Sequence, residues 1–395
     1  MNGLRAYPLA ADGRTLLVLH CDESSRGKNS YVTVYDIVSD RQLARHTLPG
    51  LLYYVESPFS PCGRWLAFGG KVYHTRTGTA LFAPEAGAGE RLMVGGTWNP
   101  APTWFSADGR LMAGRLERGG KSADALAVWE LASGRVLVRL PGGDRIAQVE
   151  FGPDGRSVAV VDGRGVRVLD LLTGKPVAEF AAPDITCETN ARGAGPQTVA
   201  FSADGRRLAT GHRDGSMTIW AVPAPPAADA ADVWAGLASE SPTTGRAAVD
   251  RATRDPVAVK DVLTRFRPPA EVSDPKVAAL IADLDSDSFP VRESATRTLR
   301  ELGGTAGPAL RRALAGVASA EARRRLEGIV AAIPAAVERL PLTGDTLRGV
   351  RAIEALERVR TAEAREALRA WADQGRDPRL AAEAQAAVAR WGPAK

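Results

Sequence analysis

The sequence predicts a series of small antiparallel β-sheets joined to a separate α-helical region. Three observations carry this reading. A six-residue phrase ending in Gly-Arg recurs through the first half: LAADGR at Leu9–Arg14, FSPCGR at Phe59–Arg64, FSADGR at Phe105–Arg110, FGPDGR at Phe151–Arg156 and FSADGR at Phe201–Arg206. Its glycines, Gly13, Gly63, Gly109, Gly155 and Gly205, stand 50, 46, 46 and 50 residues apart, close to the period of roughly 40–45 residues at which four-stranded propeller blades repeat. After Trp220, β-branched alternation gives way to Ala, Leu, Arg and Glu at helical spacing. The expected architecture is an antiparallel β-propeller over residues 1–222 (five-bladed or incomplete), a Pro/Ala linker over 223–231 and an α-helical module over 232–395.

Each repeat has the same grammar. A first strand ends in Phe and enters a turn carrying Asp-Gly, the pair that supplies the positive φ angles of a type I′ hairpin. Second strands read at Thr15–Leu19, Trp65–Phe68, Leu111–Ala113, Ser157–Val161 and Arg207–Thr210. Third strands read at Val32–Ile37, Lys71–Thr75, Ala125–Leu131, Val166–Leu171 and Met217–Val222. Another glycine turn (Thr77-Gly78, Ser133-Gly134, Thr173-Gly174) leads to a short fourth strand such as Val136–Leu140. Short strands between such turns argue for antiparallel meanders.

These residues resemble the tryptophan-aspartate (WD) repeat family. VAFSADGRRLATGHRDGSMTIWAV at Val199–Val222 is nearest to its motif, followed by LAVWELASGRVLVRL at Leu126–Leu140. The Trp-Asp pair reads Tyr35-Asp36, Tyr73-His74, Trp129-Glu130, Leu169-Asp170 and Trp220-Ala221, and Pro49-Gly50 and Pro141-Gly142 hold the usual place of the family's Gly-His. Gly211-His212 falls in the wrong strand to stand in for it. The resemblance implies the blade, and not the family's buried Trp-Ser-His-Asp network.

Four long connections, Cys21–Ser30, Ala83–Pro102, Glu117–Asp124 and Ala181–Pro196, join strand two to three or strand four to the next repeat. In an up-and-down meander they share one face, and long loops on a rigid scaffold are where binding residues concentrate. Trp98, Asn99, Glu188, Asn190, Arg192, Lys28 and Lys121 lie on them and are the candidate protein-binding residues. The fifth repeat ends on its third strand, with a proline-rich segment after it, so Met217–Val222 is expected to be an open edge able to pair with another chain. The first repeat begins close to Met1, from which a longer natural parent with upstream blades is expected.

In the second half, Val277, Leu280, Ile281 and Leu284 form one apolar stripe, and Val291, Ala295, Leu299 and Leu302 another. The latter helix is predicted to start at Ser288 and Pro290 and to stop at Gly303-Gly304. Leu347, Val350, Ile353, Leu356 and Val359 recur every three residues, as suits a helix packed on more than one side. DSDSFPVRESATRTLRELG and TLRGVRAIEALERVRTAEAREALRAWA resemble HEAT-type repeats, and the segment from Val233 to Trp391 looks like a helical module fused to WD propellers in bacteria of the Planctomycetes kind.

Composition narrows the function classes. A net charge of +5 over 395 residues lacks the concentrated basic face of a nucleic-acid binder. Three scattered cysteines fit neither a disulfide framework nor a zinc pattern. No apolar run approaches membrane-spanning length and the N-terminus has no secretory pattern, so a cytoplasmic protein with no membrane partner is expected. Asp283, Asp285 and Asp287 open like a calcium loop, but Ser288 and Ser294 stand where it needs Gly and Glu. Arg311-Arg312 and Arg323-Arg324-Arg325 are interrupted by Glu321 and Glu327 and read as a solvated face. Glu56 and Glu150 occupy different columns of the repeat and make a poor glycosidase pair, and none of the four histidines lies in a long loop where a Ser-His-Asp triad could form. The expected function is a non-enzymatic protein–protein interaction scaffold without cofactor. A regulatory piece of a larger kinase or sigma-factor fusion, and a propeller hydrolase, are the alternatives.

Overall fold

A strand ending in Phe can pass its chain to a neighbour only through a turn that closes the backbone hydrogen bonds, and the recurring phrase builds that turn. The computed structural model describes residues 3–6, 13, 15–21, 29–49, 59–68, 70–75, 78–87, 89–93, 103–141, 146–162, 165–181, 198–212, 215–268, 275–302, 306–316, 319–332, 340–374 and 377–391. Within them Gly63, Gly109, Gly155 and Gly205 donate to the carbonyl three residues back at 2.8–3.0 Å, with φ between 59° and 72°. Around each lies an outer bond, Ser60 to Trp65, Ser106 to Leu111, Gly152 to Ser157 and Ser202 to Arg207, at 2.8–3.0 Å. The aspartates are not among the positive-φ residues. The expected type I′ turn is therefore corrected to a type I turn followed by a left-handed glycine. Asp108, Asp154 and Asp204 stay right-handed because each carboxylate accepts the amide two residues on, at 2.9–3.0 Å. A two-residue turn with both φ positive does occur, at Gly119-Gly120.

One more bond ties the third strand to this turn. The Gly-Arg carbonyls of Arg64, Arg110, Arg156 and Arg206 accept from Thr75, Leu131, Leu171 and Val222 at 2.8–2.9 Å. Blade 1 is the sheet β1-β2-β3-β4, from Gly3–Ala6, Thr15–Cys21, Asn29–Asp36 and Arg41–Pro49. Blade 2 is β5-β6-β7 (Trp65–Phe68, Lys71–His74, Ala80–Phe82), with Phe59 bridged to Leu66. Blade 3 contains β8 (Glu85–Gly87), β9 (Glu90–Leu92), β10 (Thr103–Phe105), β11 (Leu111–Arg118), β12 (Lys121–Glu130) and β13 (Arg135–Pro141). Blade 4 is β14-β15-β16-β17 (Ile146–Phe151, Ser157–Asp162, Gly165–Asp170, Pro176–Ala181) and blade 5 is β18-β19-β20 (Thr198–Phe201, Arg207–Gly211, Met217–Ala221). These antiparallel sheets, with the helical region after them, fit a β-propeller plus a helical part.

Apolar residues on facing sheets pack blade on blade. Leu17, Val32 and Val34 of blade 1 meet Phe59 and Leu66 of blade 2. Leu111, Leu126 and Val128 of blade 3 meet Val149, Val158 and Val160 of blade 4. Val161, Val166 and Val168 of blade 4 meet Val199, Leu208 and Val222 of blade 5. Between blades 2 and 3, the Trp65 indole donates to the Gly109 carbonyl at 2.7 Å.

Two of the expected long loops are strands. Glu117–Asp124 continues β11 and β12 through the Gly119-Gly120 turn, with Arg118 opposite Lys121. Within Ala83–Pro102, β8 and β9 pair antiparallel, add to β11 and return against β13. Leu92 thereby covers the face of blade 3 that carries Met112, Gly114, Leu116 and Trp129, all buried. Alternation is weak in these short charged segments, so pairing and not propensity makes them strands. A shared face for long connections therefore does not hold for these two.

By compactness the chain divides into Met1–Ala231 with Ser239–Asp250 and Leu340–Leu342, and Asp232–Ala238 with Arg251–Arg339 and Thr343–Lys395. In the first unit, Arg156 binds Asp170 through Nε and Nη2 at 2.8 and 3.0 Å, and Asp250 through Nη1 at 2.7 Å. All three side chains are buried. The second unit is helical: α1 (Val233–Leu237), the end of α2 (Pro242–Arg254), α3 (Pro256–Arg265), α4 (Pro275–Asp283), α5 (Phe289–Leu302), α6 (Gly307–Gly316), α7 (Ala320–Ala332), α8 (Gly344–Val359), α9 (Ala362–Gln374) and α10 (Pro378–Arg390). Asp232, Asp255 and Asp377 cap α1, α3 and α10 by accepting backbone amides. Every residue of α8 from Gly349 to Glu357 is buried, in line with its three-residue apolar spacing. Helices α4 to α7 form a core of their own around Leu284, Leu299, Leu310, Leu326 and Ile329.

Two predictions follow from turn and charge. Gly109→Ala places a methyl group against Cys62 Sγ at a left-handed φ, whereas the same change at Gly13 meets open space. Urea melts should show Gly109→Ala costing about 2 kcal/mol or more and Gly13→Ala about 1 kcal/mol. Burial alone raises the Asp170 carboxyl, but hydrogen bonds from Arg156, the Leu172 amide and Thr173 outweigh it and hold it below the usual carboxylate range. The stability it contributes is complete above its unfolded value of about 4 and is lost as pH falls from there through the lower folded value. Asp170→Asn should flatten the stability–pH curve below pH ~4 and cost about 3 kcal/mol at neutral pH. Equal slopes for the two proteins between pH 5 and 2 would refute this.

Candidate interaction surface

The third blade gathers exposed cations on buried carboxylates. Glu90 opposes Arg118 across β9 and β11, and its Oε1 accepts from Arg118 at 2.7 Å and from Arg139 of β13 at 2.8 Å. Glu117, next to Arg118 and so on the opposite face, accepts from Arg91 at 2.8 Å. The two glutamates are buried, while Arg91, Arg118 and Arg139 are about half exposed or more. Each guanidinium has five donors, and those not used on the glutamates are open to an acidic group. Lys121 is exposed beside them as the first residue of β12. The buried carboxylates orient the cations and also offset their charge.

Of the candidate binding residues, Lys121 alone lies within the described residues, on a hairpin instead of an irregular loop. Trp98, Asn99, Glu188, Asn190, Arg192 and Lys28 lie outside them. Glu90, Arg118 and Arg139 form no motif in the sequence because they are scattered over three strands. The fifth blade also departs from expectation. Trp220 Nε1 donates to Thr210 Oγ1 at 3.0 Å, and that hydroxyl lies 3.1 Å from His212 Nε2. His212 thus joins a Trp-Thr-His chain from the loop after β19, with Thr210 and His212 buried and Trp220 half-buried. At the ends of third strands, Asp36, Glu130 and Asp170 bind groups of the following turn. That bonding is a structural reason for an acid in the Trp-Asp position.

Burial pushes the Glu150 carboxyl up, and Glu56 lies outside the described residues. Among the described residues no group of three or more His, Cys, Asp or Glu could hold a metal ion, and no helix is long and apolar enough to cross a membrane.

No family model matches the chain. It is 33% identical over 119 residues to RACK1, a small ribosomal subunit protein of Caenorhabditis elegans and a WD-repeat protein. Sequence similarity and sheet architecture together point to a WD-repeat β-propeller. The similarity covers 30% of this chain, and the chain spans about a third of that relative's length, 35%. A solved structure, hydrazine synthase of Kuenenia stuttgartiensis, aligns over 54% of this chain and 63% of its own at 20% identity and a TM-score of 0.36. A likeness that weak carries no argument about fold or chemistry.

The cluster yields one prediction about its own assembly. Glu90→Gln keeps the shape and removes the charge that orients Arg118 and Arg139. It should cost about 1–2 kcal/mol, less than a fully buried pair because the arginines are solvated. The arginine Nη–H signals should also lose exchange protection. Unchanged protection would mean that the glutamate does not orient them.

Proposed function

We propose that this protein is a non-enzymatic scaffold that holds partner proteins on its WD-type blades, with a helical module of the HEAT type following them in the chain, in a bacterial cytoplasm. It needs no cofactor in this reading. The observation that supports it best is the pair of arginines, Arg118 and Arg139, oriented by Glu90 on one face of blade 3. Side chains held in place lose less entropy on binding than free ones, and guanidinium groups recognise carboxylates with two parallel bonds. An acidic segment of a partner protein suits this surface. Long nucleic acid suits it less, because the buried carboxylates offset much of the charge. Trp98, Asn99, Glu188, Asn190, Arg192 and Lys28 are proposed as further partner-binding residues, with Lys121 beside the arginines.

The test is capture of partners from the host extract by the full chain, followed by affinity measurement on the purified pair. Arg118→Glu with Arg139→Glu should weaken binding at least tenfold, about 1.4 kcal/mol. Trp98→Ala should do the same if it anchors the contact, with Arg192→Glu as a second probe. Partners retained at unchanged affinity by all of these variants would sink the scaffold reading for these surfaces.

A further inference from the structure

The repeat allows equivalent positions to be compared from blade to blade. The residue following each third strand donates to the Gly-Arg carbonyl of its own turn, which aligns Leu131, Leu171 and Val222. Counting back from them aligns Leu126, Val166 and Met217, and likewise Val128, Val168 and Ile219. In blades 3 and 4 these positions are 0–2% exposed, within the cores shared with the next blade. In blade 5, Met217 is 67% and Ile219 59% exposed. Ala209 and Gly211 lie opposite them in register, with Ala200 and Thr198 beyond. Arg207, at the turn end, is the one charged residue of that face among the described residues. Blade 5 thus presents the half of a blade-on-blade contact that faces a following blade.

Blade 1 presents part of the other half, at the end next to its third-to-fourth turn. Leu131, Leu171 and Val222 are at most 7% exposed, and Val222 and Leu171 sit in the cores shared with the preceding blade. The equivalent Ile37, directly after the turn-capping Asp36, is 47% exposed, and Val38 beside it is more so. We propose that a second copy of this chain docks its blade 1, by the surface around Ile37, on the open face of blade 5 formed by Met217, Ile219 and Ala209. The contacts already present between blades 1 and 2, 3 and 4, and 4 and 5 supply the geometry, and the docked copy continues it. The contact joins two different surfaces, so it is head-to-tail. It uses neither the blade 3 arginines nor the connections, so it can fail while partner capture by those surfaces succeeds, and the reverse.

The test is mass photometry and sedimentation of the full chain, with folding checked by circular dichroism and thermal melting. The wild-type chain should associate reversibly with concentration. Ile219→Glu and Ile37→Glu should each weaken self-association at least tenfold, and Met217→Glu replaces the first variant should it melt early. The decisive arm mixes Ile219→Glu chains with Ile37→Glu chains. One intact blade 5 face then meets one intact blade 1 face, and pairs should return. A mixture that stays monomeric overturns the proposal, as does an Ile37→Glu chain that associates like wild type, which would mean that two blade 5 faces meet each other. A wild-type chain monomeric at tens of micromolar overturns it too, and would leave that face to a blade of a different protein.

Discussion

The sheet unit depends on one small set of backbone bonds. A left-handed glycine lets the chain reverse after each first strand, and the next residue's carbonyl takes the amide that ends the third strand. Three strands of a blade are thereby joined within six residues of sequence. The side chains of the phrase serve the same bonds: Ser106 and Ser202 accept the amides of Leu111 and Arg207, and Asp108 and Asp204 accept those of Arg110 and Arg206. Where the phrase varies, the bonding adapts. Blade 4 has Gly152 in place of the serine, and Asp154 takes over the amide of Ser157. Blade 2 has Cys62 in place of the aspartate, 3.3 Å from the Ser60 hydroxyl. The turn tolerates these exchanges because its hydrogen bonds run mainly through the backbone, and only the glycine has a conformation that other residues resist.

Regular blades leave little room for individuality, and the departures from regularity are where this chain becomes specific. The β8-β9 hairpin is an addition to the repeat. It brings Glu90 under Arg118 and Arg139, and it buries Leu92 on a face already lined by Trp129 and Met112. The same short insertion therefore stabilises blade 3 and sets out its cations. The Arg156 contacts are a second departure: the turn arginine is exposed in blade 5 but buried between Asp170 and Asp250 in blade 4. A buried guanidinium with two carboxylate partners is costly to desolvate and costly to leave unpaired.

Much of this was legible in the sequence. The period, the glycine turns, most strands and the limits of α5 follow from residues adjacent in the chain: an αL glycine, a serine and a proline at a helix start, an apolar stripe at helical spacing. Even the central position of α8 was visible, since apolar residues every three positions cannot all lie on one face. What local pattern could not decide was pairing. Residues 85–92 and 117–124 are too short and too charged to announce strands, and they become strands because β11 offers them a partner. The turn type was misjudged for a related reason, as the dipeptide Asp-Gly permits two geometries and the side-chain bonds of the surrounding residues choose between them. Glu90 meets Arg139 across 49 residues, and Arg156 meets Asp250 across 94. Sequence by itself determined the units of this protein, because turns and helices are stabilised within a few residues. Tertiary structure decided which charges meet and which apolar faces stay open, because those depend on neighbours that the chain supplies only after it has folded.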